Sequence, residues 1–267
     1  MEPMIDRPFS DSDLLFLVET TMPERDDKKQ VVALIRDDAD FIDALLGDEK
    51  VFQRLLGDEE IVFKVSPSLF FAALLRRARH DLEGEAYTIE RRQHQKVAIF
   101  DARQAARLLA DRSLRDYLAD MLASFTHVQS FTRRVRVRKG VWHRQRFSDL
   151  DIDSLIRYCN GLDEEHRFLV YKRIADVCLF LSAMFPEYIE EQSRYPWGKA
   201  RLQRSIEDYE REGRTFYSLA ASHQASRASR LWGPLSALAE NFTLAEKPLN
   251  FISNHYLQMR KHTLFAL

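Results

Sequence analysis

Apolar positions recur every three or four residues along most of this chain, which is a helical period, and the connections between periodic stretches are short. In "SPSLFFAALLRRARHDLEGE" (66–85), Leu69, Phe70, Ala73, Leu74 and Ala78 make one apolar face, with Arg76, Arg77 and Arg79 toward the other. Ser66 followed by Pro67 marks the start of this helix. The hydroxyl can accept a first-turn N–H, and proline lacks only a donor that would be unpaired there anyway. Further helices are expected where Ser10 or Asp11, Asp27 and Asp38 precede periodic runs. The doubled "LLGDE" (45–49 and 55–59) reads as two helix ends, with Gly47 expected to close the first in a left-handed conformation. Ser113 is expected to cap "SLRDYLADMLASF", and Asp163 the long apolar helix that runs to Phe185. Pro248 is expected to open the last helix, in which Leu249, Ile252, Tyr256 and Met259 share a face.

Three stretches depart from the helical period. "EIVFKV" (60–65) is β-prone, and a strand is expected around 97–100. The sharpest break is "FTRRVRVRKGVWHRQRF" (131–147), where β-branched valines alternate with arginines and Gly140 would interrupt a helix. A hairpin with Lys139-Gly140 at its turn accounts for this pattern. That turn would set Val137 opposite Trp142, Val135 opposite Arg144 and Arg136 opposite His143. Arg134, Arg136 and Arg138 would then line one face, and Trp142 would pack with Val137 on the other. The pattern as a whole predicts a mainly α protein: a multi-helix bundle with a small β-hairpin at about 131–147 and one or two further short strands. The expected division is 1–147, acidic N-terminal helices leading into a basic helical region with the hairpin, and 148–267, a C-terminal helical bundle. The two could also form one continuous domain.

Charge sharpens this division. The chain of 267 residues has a net charge of only −1, but the charge is segregated. Residues 1–60 carry 7 Lys+Arg against 17 Asp+Glu, whereas residues 76–146 carry 17 against 8. Two readings follow: a basic surface that binds an anion, or acidic and basic segments that neutralise each other within the chain.

Composition narrows the class. Apolar residues at 45% and charged residues at 30% describe a chain that folds around a core, and eight glycines and eight prolines favour long helices. The richest apolar run, "FLVYKRIADVCLFLSAMF", is interrupted by Lys172, Arg173 and Asp176, so no membrane span is expected. The acidic N-terminus lacks the basic start of a secretory signal, and Cys159 and Cys178 lie in apolar helical contexts. A reducing, cytoplasmic location is therefore expected.

Catalytic patterns are incomplete. His80-Asp81 resembles the paired ligands of HD-type phosphohydrolases but has no earlier histidine to join it. Asp163-x-x-His166 is half of a di-metal carboxylate pattern without its second half. "DEK" (48–50) matches the tail of a nuclease triplet, but it sits where a helix begins. No phosphate loop, nucleophile elbow or paired-cysteine motif is present. No catalytic residue, metal site or cofactor is expected. The expected function is a non-catalytic nucleic-acid-associated binding protein acting through Arg133, Arg134, Arg136, Arg138, Lys139, Arg144 and Arg146, with Trp142 as a structural or stacking aromatic. The expected partner is DNA or RNA. The alternative is a helical adaptor whose hairpin docks on an acidic protein or on its own acidic N-terminal helices.

Overall fold

A computed structural model describes residues 9–58, 60–92, 95–127, 130–138, 141–148, 150–194 and 204–265. It is mainly helical, with two antiparallel hairpins. In chain order the elements are α1 (Asp11–Thr21), α2 (Lys28–Ile35), α3 (Ala39–Leu46), α4 (Glu49–Gly57), α5 (Ile61–Lys64), α6 (Pro67–Gly84), β1 (Thr88–Arg92), β2 (Gln95–Ile99), α7 (Ala102–Leu108) and α8 (Arg112–Phe125). They continue as β3 (Ser130–Arg138), β4 (Val141–Ser148), α9 (Ile152–Asn160), α10 (Phe168–Met184), α11 (Pro186–Arg194), α12 (Ile206–Ser222), α13 (Gln224–Ala228), α14 (Trp232–Glu240), α15 (Phe242–Phe251) and α16 (Lys261–Phe265). A 3₁₀ turn spans Glu164–His166 and a π turn spans Ile252–Tyr256.

Two compact units divide the chain: Met1–Thr126 with Lys247–Lys261, and His127–Glu246 with His262–Leu267. The first is built around α6, which buries Leu69 through Leu75, Ala78 and Leu82, and α3, α4, α7 and α8 pack against it. Its start is held as the Ser66-Pro67 pair predicts, with the Ser66 hydroxyl accepting the Leu69 N–H. Asp13 ties α1 to this point. It reciprocates the Ser10 cap and also accepts the Ser66 N–H at 2.7 Å.

The second unit is centred on α10, buried along nearly its whole length, with α12 lying against it. The close approach depends on Gly213. A Cβ there would stand 2.2 Å from the ring of Phe242 and 3.0 Å from Cys178 Cβ. Phe180, Phe185 and Phe265 form a cluster with centroids 4.9–5.9 Å apart, in which Phe265 meets both other rings edge-to-face.

Several local expectations change. The β-prone run at 60–65 forms the helical turn α5 instead, because Ile61 and Val65 are both buried and lie four residues apart. Gly47 is right-handed, at φ −83°. Asp111 caps α8 in place of Ser113 by accepting the Leu114 N–H. Asp163 precedes the 3₁₀ turn, and α10 begins after Arg167. Pro248 lies inside α15, and Met259 falls beyond the helix, 90% exposed, while Leu249 and Ile252 are buried. The strand expected near 97–100 is β2 and pairs with β1, from Thr88↔Ile99 to Arg92↔Gln95.

Candidate functional site

The basic stretch forms the β3–β4 ribbon. Its register pairs Ser130 with Ser148, Thr132 with Arg146, Arg134 with Arg144, Val135 with His143 and Arg136 with Trp142. The register then shifts, and Arg138 pairs with Val141. Val137 is the extra residue of a β-bulge. This overturns the pairings expected from the turn: Val137 does not face Trp142, Val135 does not face Arg144, and Arg136 does not face His143. The physical reason is the two-residue period of a strand. One inserted residue exchanges the faces of everything on one side of it.

Register alternation therefore assigns Thr132, Arg134, Arg136, Trp142, Arg144 and Arg146 to one face of the ribbon. Phe131, Arg133, Val135, His143, Gln145 and Phe147 take the other. Beyond the bulge, Arg138 shares the face of its partner Val141, opposite Arg134 and Arg136. The arginine row is thus not 134, 136 and 138, and the tryptophan belongs to the arginine face. Lys139 and Gly140, the proposed turn, lie outside the described residues.

The rest of the basic segment has a different destination. Asp43 on α3 accepts from Arg76 Nε of α6 at 2.7 Å and from Arg115 Nη2 of α8 at 3.0 Å. The two guanidiniums are nearly buried, with side-chain exposures of 7% and 4%. Arg76 therefore turns inward, contrary to its place on the polar side of the helical pattern. Arg112 reaches Asp40 at 2.9 Å, and Arg77 pairs with Glu49 and Asp81. Burial alone would raise the Asp43 carboxyl, but the guanidiniums of Arg76 and Arg115 more than offset it and hold the pKa below the usual range. In this part of the chain the acidic N-terminal helices supply counter-charges for the basic helices that follow.

The other chemical candidates stay dispersed. His80 is exposed, and its neighbour Asp81 accepts the Tyr256 hydroxyl at 2.7 Å. Cys159 and Cys178 are free and buried, and burial pushes both thiols up. Among the described residues, no group of three or more His, Cys, Asp or Glu could hold a metal ion, and no helix is long and apolar enough to cross a membrane. No family model, curated protein or solved structure matches the chain.

Proposed function

We propose that the protein is a non-catalytic nucleic-acid-associated binding protein and that the β3–β4 ribbon is its contact surface. The register supports this most. It gathers Arg134, Arg136, Arg144 and Arg146 with Trp142 on one face, in a segment with no carboxylate between Asp120 and Asp149. Like charges directly opposite one another, such as Arg134 and Arg144, destabilise a ribbon on their own. Phosphate oxygens relieve that repulsion, and each neutralised phosphate releases counterions. A two-stranded ribbon fits the major groove of a DNA duplex, and an aromatic among arginines suits a single strand of DNA or RNA with bases stacked on the ring. An acidic protein would also satisfy the arginines. The place of Trp142 among them favours nucleic acid over that partner. Arg133 and Arg138 add positive charge without belonging to this face by register, and Lys139 lies outside the described residues.

The test is charge reversal. The wild-type chain should shift duplex and single-stranded oligonucleotides irrespective of sequence, with affinity falling steeply as salt rises. Arg134→Glu, Arg136→Glu and Arg144→Glu together should abolish the shift while leaving the helical circular dichroism signal unchanged. An unchanged shift in that variant refutes the proposal.

A further inference from the structure

A second feature lies in the helical part of the same unit. α12, α13 and α14 enclose an open cleft of about 700 Å³, within the size range of small-molecule sites. Trp232 lines it and is 51% exposed, unusual for so large an aromatic. Arg227 lines it too, exposed, and no described residue takes its guanidinium by hydrogen bond or ion pair. The remaining wall is mostly hydroxyl, amide and carboxylate, including Ser218, Gln224 and Glu240.

The cleft is held in shape from behind. His223 Nδ1 accepts the Ala225 N–H at 3.1 Å, which leaves Nε2 to donate to the Glu164 carbonyl at 3.1 Å. After α13 the Leu231 N–H reaches the Ser226 carbonyl at 2.8 Å, and the Arg230 N–H reaches Arg227 at 3.1 Å. These two bonds make a Schellman turn, whose left-handed position is usually glycine. Arg230 occupies it here, at φ 56°. A side chain is held in that region only where its surroundings over-determine it, and here the turn sets the direction of the segment that carries Trp232.

We propose that this cleft binds one nucleotide unit, with the base on the indole face of Trp232, the phosphate on Arg227 and the base edge on the polar wall. A peptide fits less well, because the wall offers many hydrogen-bonding groups but little apolar floor beside Trp232, Ala221 and Ala239. The nucleotide unit has two sources, a free mononucleotide or one residue of a strand. The strand form rests on the function proposed above; the mononucleotide form stands without it.

Equilibrium dialysis of the wild-type chain against adenosine monophosphate, ribose 5-phosphate and an oligothymidylate of about ten residues separates these cases. Adenosine monophosphate should bind about tenfold or more tightly than ribose 5-phosphate, the contribution of stacking. Trp232→Ala should remove that difference, Trp232→Phe should keep most of it, and Arg227→Glu should weaken both ligands. In the Arg134→Glu, Arg136→Glu, Arg144→Glu variant, where the ribbon no longer contributes, a strand that binds at least about tenfold more tightly than the mononucleotide identifies nucleic acid as the source, and any smaller difference identifies the free nucleotide. The proposal is overturned if adenosine monophosphate fails to bind at up to about 10 mM, or binds equally to wild type, Trp232→Ala and Arg227→Glu. Failure of the wild-type chain to shift a duplex, with mononucleotide binding retained, would refute the hairpin reading alone.

Discussion

Two sets of arginines lie in one basic stretch of sequence and belong to different kinds of structure. Arg76 and Arg115 are nearly buried in the first unit and converge on Asp43, where they cross-link α3, α6 and α8. Those of 133–146 alternate along a ribbon in the second unit, within a segment that has no acidic residue of its own. Segment net charge hides this difference. Residues 76–126 carry ten basic against eight acidic residues, whereas 127–146 carry seven against none. The excess that suggested a basic surface belongs mostly to the ribbon, and the helical arginines serve largely as internal ties. Neutralisation within the chain therefore accounts for the helical half of the segment, and the anion-binding reading is the proposal made for the ribbon half.

Removing the shared carboxylate of the first set should be the most destabilising change. Asp43→Ala leaves two nearly buried guanidiniums without their main partner and should cost about 3 kcal/mol in urea unfolding. That is the low end for a broken buried pair, because Asp43 keeps 34% of its side chain in water. The same pair predicts an acid limb. Asp43 titrates lower in the folded than in the unfolded chain, so its contribution is present above the unfolded carboxyl pKa and is lost as pH falls through the folded one. Asp43→Asn should flatten that limb, and an unchanged acid limb would show that the guanidiniums do not hold this carboxylate.

Glu246, in the second unit, is the contrasting case. Burial, with the Glu210 carboxylate adding to it, pushes its carboxyl up to about 8 despite a hydrogen bond with Ser182 and the influence of Arg214. Here the folded chain keeps a proton that the unfolded chain releases above about 4.5, so stability falls as pH rises from there to about 8. The slope is at most about 1.4 kcal/mol per pH unit. Glu246→Gln should remove it and stabilise the protein at pH 8, as read by thermal melts across that range.

A smaller effect is expected where an arginine of the helical set reaches the surface. Arg112→Ala removes a pair with side-chain exposures of 37% and 97% and should cost about 0.5 kcal/mol, less in high salt. The smallest effect on stability belongs to the ribbon. The triple reversal of Arg134, Arg136 and Arg144 should change unfolding free energy by less than about 0.5 kcal/mol while abolishing oligonucleotide binding. A large loss of stability would move these arginines into the same structural class as Arg76 and Arg115.

Much of the candidate ribbon is legible from residue order: alternating valine and arginine around Lys139-Gly140 specify a hairpin and its charge. Face membership is not, because the bulge at Val137 follows from how the two strands pair along their length. The cleft is less legible still. "SRASRLW" contains Arg227 and Trp232, but the opposing walls come from α12 and from the far end of α14.

What the amino-acid order determined by itself is local. Ser10, Asp38 and Ser66 cap the helices expected of them because each cap bond spans three residues. Tertiary structure decided the rest. α5 is helical because burying Ile61 and Val65 outweighs their β propensity, and α15 continues through Pro248, with Leu249 buried just beyond it. Arg76 turns inward because a carboxylate waits 33 residues away, and Arg115 shares that carboxylate across 72. A pattern repeated every few residues can signal a bond that closes within one turn. It carries no information about a partner that only folding brings within 3 Å.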